Sequence, residues 1–191
     1  MEKPKQKTEA SRSAELKVIK ALLREKDVIV SSHEDVEELA SRGYGTKENK
    51  NLVLTICEAL FLMSKGVIEV EAQTGKAKKK NDFQQLLSHY KMLDENAWVK
   101  YLIYRDLRSR GYVAREGFGL GIDFRMYERG EYGTATAKYL VLGIQEGQPV
   151  SMEELTRALK YVHSLKKNLI LAVLNRRGEV VYYSLSKLTL K

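Results

Sequence analysis

Residues 101–127 read YLIYRDLRSRGYVAREGFGLGIDFRMY, and the pattern changes twice within them. From Asp94 onward, Trp98, Tyr101, Leu102 and Leu107 recur at helical spacing, which predicts a long amphipathic helix with Gly111 at its C-terminal cap. Residues 112–115 then read as a strand. Gly117, Gly119 and Gly121 form a glycine turn. It is not a dinucleotide-binding fingerprint, because that motif opens a helix and no helical pattern comes after it here. In residues 122–127 the period becomes two. Ile122, Phe124 and Met126 share one face, and Asp123, Arg125 and Tyr127 the other.

Downstream, residues 137–144 read as another strand. Ser151 with Glu154 makes a capping box that opens a helix burying Leu155, Ala158, Leu159, Val162 and Leu165. Residues 169–174 are continuously apolar, as in a strand buried on both faces. Residues 175–178 turn the chain into a final strand over 179–185. The second half is therefore a mixed sheet with helices against it.

Upstream, 28–30 is a short apolar run, and Ser31 and Ser32 with Glu34 and Asp35 form a capping-box pattern for a helix that Gly43 stops. Asn51 reads as the cap of a helix carrying Leu52, Ile56, Ala59, Leu60 and Met63, ended by Lys65-Gly66. Residues 67–70 read as a strand. Residues 75–80 (GKAKKK) read as a flexible basic loop, either a solvated hairpin tip or linker or a non-specific phosphate contact. A helix over 83–92 bridges to the second half. The class is α+β, with a small mixed α/β domain over residues 1–92, a second domain over 93–191 and no internal repeat.

With 191 residues, 43% hydrophobic and 30% charged, the chain has the composition of a soluble, well-packed protein of one large or two small domains. Only the first dozen residues and the lysine run read as disordered. The longest apolar stretch, 168–174, is far too short to span a bilayer. The lysine-rich N-terminus lacks the apolar core of a secretory signal. The single cysteine, Cys57, excludes an intramolecular disulfide and a cysteine-rich metal site, so the cytoplasm is the expected compartment. A formal net charge of +8 favours a polyanionic partner. His33, His89 and His163 show no metal-ligand spacing on a common element, and no nucleophile elbow, P-loop or Cys-His pair is present. No metal and no cofactor are expected. The residues alone leave metal-free chemistry or no chemistry at all.

Two long stretches carry a resemblance. Residues 43–70 (GYGTKENKNLVLTICEALFLMSKGVIEV) resemble the N-terminal domain of archaeal tRNA-splicing endonucleases. Residues 101–130, AKYLVLGI at 137–144 and HSLKKNLILAVLNRRGEVVYY at 163–183 resemble their C-terminal nuclease domain. YRDLR-RGY and G-DFR-Y are the most specific parts. The resemblance implies cleavage of precursor tRNA at bulge-helix-bulge junctions without a metal. A ribose 2′-hydroxyl attacks the adjacent phosphate, leaving a 2′,3′-cyclic phosphate and a 5′-hydroxyl. That reaction needs a base, an acid and a cation for the phosphorane charge, and the family assigns a tyrosine, a histidine and a lysine.

On this sequence the tyrosine is Tyr127 and the lysine Lys167, while Thr136 stands where the family has histidine. Threonine is no general acid near neutral pH, and losing that role costs a factor of about 10² to 10⁴. His163, four residues before Lys167, is the one histidine in this half. Where the family clamps a flipped base with arginine, Lys160 stands here, a point charge without a planar stacking face. Arg125, Lys160 and Lys166 are the expected RNA contacts. The resemblance further implies a heterotetramer with two copies of a catalytic partner. Glu146, in the 145–150 loop (QEGQPV), would anchor an opposing subunit, and Val181, Tyr182 and Tyr183 would lie in a covered final strand. The implied role is a structural subunit without its own activity. The alternative is an active endonuclease with a modified Tyr127/His163/Lys167 site.

Overall fold

In the computed structural model, which describes residues 17–74, 77–119 and 121–187, two mixed sheets share one core. The first half runs β1 (Ile19–Leu23), β2 (Asp27–Val30), α1 (His33–Ser41), β3 (Thr46–Glu48), β4 (Asn51–Thr55), α2 (Ile56–Ser64), β5 (Ile68–Thr74) and β6 (Ala77–Asn81). Its six strands lie in the order β3-β4-β2-β1-β5-β6, and β1 and β5 are the parallel pair. Helices α3 (Phe83–Leu93) and α4 (Ala97–Ser109) lead into β7 (Val113–Glu116), β8 (Phe124–Tyr127), β9 (Tyr139–Gln145), α5 (Met152–Ser164), β10 (Asn168–Leu174) and β11 (Val180–Leu185). This second sheet has the order β11-β10-β9-β8-β7, with β9 and β10 parallel across the α5 crossover. Among the described residues no helix is long and apolar enough to cross a membrane.

Apart from Glu58, helix α2 is apolar on every side through residues 56–62, all of which are buried. Such a helix has to be surrounded. It packs on β4 and β5 on its own side and on α3 and α4 on the other. Helix α4 in turn lies on β7, β9, β10 and β11. An aromatic series runs through this stack, from Tyr44 to Phe61 (6.4 Å between centroids), Tyr104 (5.8 Å) and Phe124 (5.8 Å). A smaller core of Ile122, Leu140, Ala158, Val162 and Leu169 lies under α5 on the opposite face of the second sheet.

Glu58 ties the halves together. Its carboxylate closes a reciprocal capping box with Thr55, accepting Thr55 N–H at 2.9 Å while Thr55 Oγ1 accepts Glu58 N–H at 3.2 Å. It also accepts Gly45 N–H at 3.2 Å and pairs with Arg115 Nη1 of β7 at 2.6 Å. The two side chains are 2% and 9% exposed. Arg115 Nη2 reaches on to Thr46 Oγ1 at 2.7 Å.

The structure corrects several local readings. Asn51 caps no helix. Residues 51–55 are strand β4, with Leu52 and Leu54 buried in alternation, and the helix begins one turn later on the Thr55/Glu58 box. Ser32 is the N-cap of α1 without a side-chain cap bond; Asp35 is engaged by Lys17 at 2.9 Å instead. Most of the basic run is ordered as β6. Lys80 meets Glu69 and Lys78 meets Glu71 of β5, because the antiparallel register puts each lysine diagonally across from a glutamate. Residues 75 and 76 lie outside the described residues, as do the first dozen. Leu165, expected in the core, is 38% exposed, because it has already left the helix as its C-cap. None of this bears on the expected cover of the final strand by a partner chain. β11 is a sheet edge, with Val181 42% and Tyr183 54% exposed.

Breaking the Glu58–Arg115 pair leaves one buried charge uncompensated. Glu58→Ala or Arg115→Ala is expected to cost about 3–5 kcal/mol of unfolding free energy, read from denaturant midpoints. The double variant Glu58→Leu/Arg115→Met is expected to recover part of that loss.

Candidate functional site

Strand register brings the predicted site residues to one end of the second sheet. Met126 pairs with Tyr139, and Tyr139 with Asn168. The next row therefore holds Tyr127, Lys138 and Lys167 on the opposite face. The Asn168 N–H bond to Lys138 O at 3.1 Å extends the ladder into that row. Lys167 Nζ donates to Thr136 Oγ1 at 2.7 Å, so the predicted lysine and threonine touch although 31 residues separate them.

Lys167 is delivered by the way α5 ends. Lys166 N–H donates to His163 O at 3.0 Å and Lys167 N–H to Val162 O at 3.1 Å, the bond pair of a Schellman motif. The residue at its left-handed position is Lys166, with φ +55°, where glycine usually stands. The sharp exit puts Lys166 in solvent and Lys167, half-buried, at the head of β10.

Tyr127 is half-buried and packs edge-on against Tyr132 at 5.2 Å. Tyr132 in turn lies against Gly43, which has φ +77°. A Cβ at Gly43 would stand 2.8 Å from Val113 Cγ1 and 3.3 Å from Tyr132, so the first half of the chain directly walls the site. Lys138 meets Glu128 Oε1 at 3.2 Å, and Tyr139 hydroxyl donates to the same oxygen at 3.1 Å. The Lys138 ammonium, helped by that hydroxyl, holds the Glu128 carboxyl below its usual range.

Arg125 lies two residues before Tyr127 on the same face, its Nε donating to Glu116 O at 2.9 Å. Lys160 and Lys166 are exposed on and just beyond α5. Among the described residues, none of Arg125, Lys160, Lys166 and Lys167 meets a carboxylate in an ion pair, whereas Lys138 does. His163 is exposed in the last turn of α5, and no hydrogen bond joins its ring to Thr136 or Lys167. The row thus offers a phenol, an ammonium and a threonine hydroxyl. The last can hydrogen-bond but does not titrate near neutral pH. Uncompensated cations can neutralise phosphate.

The predicted partner residues divide. Tyr182 is engaged within its own chain, its hydroxyl donating to Asp106 Oδ2 at 2.7 Å. Val181 and Tyr183 point outward. Glu146 accepts Arg176 N–H at 3.0 Å, leaving its other oxygen for a second donor. Sequence reasoning singled out neither Tyr132 nor the aromatic pair Phe118 and Tyr161 near Arg125. Phe118, an aromatic between two glycines, was the legible hint.

The same two halves are recognisable in known proteins. Residues 19–84 match the family model for the tRNA intron endonuclease N-terminal domain, and residues 97–182 that for the tRNA intron endonuclease catalytic C-terminal domain. A tRNA-splicing endonuclease of Methanococcus maripaludis is 34% identical over 174 residues, covering 91% of this chain and 97% of that protein. One from Pyrococcus furiosus is 35% identical over 143 residues, covering 75% and 80%.

A lysine at a left-handed position carries a steric cost of about 1–2 kcal/mol. Lys166→Gly is therefore expected to raise unfolding free energy by about 1 kcal/mol in chemical denaturation, although it removes a side chain beside the site.

Proposed function

Because the chain belongs to the tRNA intron endonuclease family, we propose that it serves as the structural subunit of a tRNA-splicing endonuclease, positioning precursor tRNA for a catalytic partner. The observation that carries this reading is the Lys167–Thr136 hydrogen bond. A histidine at that place would donate a proton to the leaving 5′-oxygen, while the tyrosine takes the 2′-hydroxyl proton and the lysine stabilises the phosphorane. Threonine accepts the lysine's hydrogen bond and ties up its ammonium. It supplies no proton at neutral pH. Cyclising transesterification then lacks its acid, and the partner makes the 2′,3′-cyclic phosphate and the 5′-hydroxyl.

In this reading residues 1–92 are the N-terminal domain and residues 93–191 a nuclease-like domain whose remaining task is recognition and assembly in the cytoplasm. Arg125, Lys160 and Lys166, with Lys167, contact RNA phosphates. The exposed edge of β11, with Val181 and Tyr183, suits antiparallel pairing with an equivalent strand, which removes an otherwise open edge. Glu146 meets an opposing subunit with its unengaged oxygen. The assembly holds two copies of each chain.

The test uses the purified full chain, a bulge-helix-bulge RNA and a homologous chain with histidine at the position of Thr136. Alone, the chain is expected to leave the RNA intact; mixed with the homologue it is expected to support cleavage to 2′,3′-cyclic phosphate ends. Thr136→His in the lone chain is expected to raise cleavage by about 10²-fold or more over the wild type. Cleavage by the wild-type chain alone, lost in Lys167→Ala and in His163→Ala, overturns the proposal in favour of an active enzyme with a modified site.

A further inference from the structure

Two guanidiniums at the seam between the halves meet no carboxylate among the described residues. Arg108, in the last turn of α4, has its guanidinium carbon 3.9 Å from the centroid of the buried Tyr44 ring, and its Nη2 donates to Arg42 O at 2.9 Å. Arg129, in the loop after β8, donates through Nε to Arg110 O at 3.2 Å and through Nη2 to the same oxygen. Gly111 makes room for that side chain, since a Cβ there would stand 2.6 Å from Arg129 Nε. The neighbouring Arg42 and Arg110, by contrast, pair with Glu38 and Asp106. The cluster of four arginines is therefore cationic on balance.

Part of that charge answers the carbonyls at the ends of α1 and α4. A carbonyl bond, however, occupies only part of a guanidinium's donor fork and leaves its full charge in place. A side chain already fixed in this way loses little freedom when it meets an anion. The placement of the cluster indicates which anion. Val113, just after the end of α4, pairs with Tyr127, so the arginines lie at the same end of the second sheet as the row of Tyr127, Lys138 and Lys167. Lys167 heads β10, three strands from β7, or about 14 Å at the usual strand spacing. Beyond β7 the first half begins, with Gly43 against Tyr132. Free cations thus stand at both ends of the row, farther apart than one small anion can reach, and a polyanion with regularly spaced phosphates suits them. The ring beneath Arg108 is itself buried, so this end offers charge and donors but no face on which a base could stack. Such a surface suits a paired stem, which presents its backbone and keeps its bases inside.

We propose that Arg108 and Arg129 form a second phosphate-binding patch, which holds the backbone of a paired RNA stem as it passes from the second half of the chain onto the first; this rests on the RNA-positioning role proposed for the chain. The docked halves assemble the patch together, because Arg108 is held by Tyr44 and by Arg42 O of the first half.

The experiment measures binding of the full-length chain to a long, fully paired RNA stem across a series of salt concentrations. Arg129→Ala and Arg108→Ala are each expected to weaken binding about tenfold at low salt and to lower the slope of log affinity against log salt by about one. Arg129→Lys keeps the charge and is expected to keep the slope. Arg129→Ala joined to Lys166→Ala is expected to lower the slope by about two, because one stem meets both ends of the row. Lys79→Ala, on the strand β6 at the far edge of the first sheet, removes an equally exposed charge away from the seam and is expected to change neither quantity. Circular dichroism checks the fold of Arg108→Ala, and the exposed Arg129 supplies a variant that leaves the core untouched. Wild-type affinity in Arg129→Ala, or an equal loss in Lys79→Ala, overturns the patch. So does displacement of the stem by polyglutamate of equal charge, which marks an acidic protein segment as the ligand. Support of cleavage by a homologue with histidine at the position of Thr136 is read separately, so the patch and the structural-subunit reading can fail independently.

Discussion

A single carboxylate, that of Glu58, is where the capping of α2, the turn at Gly45 and the edge of the second sheet meet. Burial raises its pKa, and the Arg115 guanidinium with the N–H groups of Thr55 and Gly45 pulls it back down. A lone buried charge would cost several kcal/mol, so the site holds only because all these donors arrive together. They come from loops and strands of both halves. The pair therefore sets the direction in which β7 leaves the first half, and with it the hairpin that carries Phe118 and Arg125.

Two further contacts convert that anchor into a defined site. Asp123, buried and accordingly raised in pKa but held down by Lys100, accepts Gly143 N–H at 2.7 Å and so locks the base of the same hairpin to β9. Gly143 has no room for a side chain, since a Cβ would stand 2.6 Å from Ile103 Cδ1; its smallness lets α4 lie close on the sheet. At the other end Gly43 admits Tyr132, and Tyr132 props the Tyr127 ring. The row of Tyr127, Lys138 and Lys167 is thus built at a seam, and its geometry depends on both halves being docked.

Where local sequence and fold disagree, the reason is competition between periods. Residues 51–56 (NLVLTI) satisfy a helical stripe when joined to residues 57–63 and a strand when taken alone. Pairing with β2 and β3 decided for the strand, and the real capping box, Thr55 to Glu58, lay inside the expected helix. The lysine run looked like solvated chain because its compensating charges, Glu69 and Glu71, sit on a neighbouring strand, and a register is not visible along one segment. Tyr182 looked like half of an apolar edge, and its partner Asp106 lies 76 residues away.

By itself the sequence determined the elements whose signals are local: the amphipathic α4, the period-two β8, the buried β10, the Ser151-capped α5 and the motifs that mark the family. The expectation that Thr136 takes the place of a family histidine likewise rests on position within a motif and on nothing tertiary. The tertiary structure alone decided that Thr136 holds Lys167, that Phe118 and Tyr161 flank Arg125's end of the site, and that Glu58 and Arg115 join the halves. Each of these depends on strand order, parallel crossover and helix docking. Such relations are fixed by burying apolar faces against one another across long separations in the chain, and no stretch of sequence read along its own length contains them.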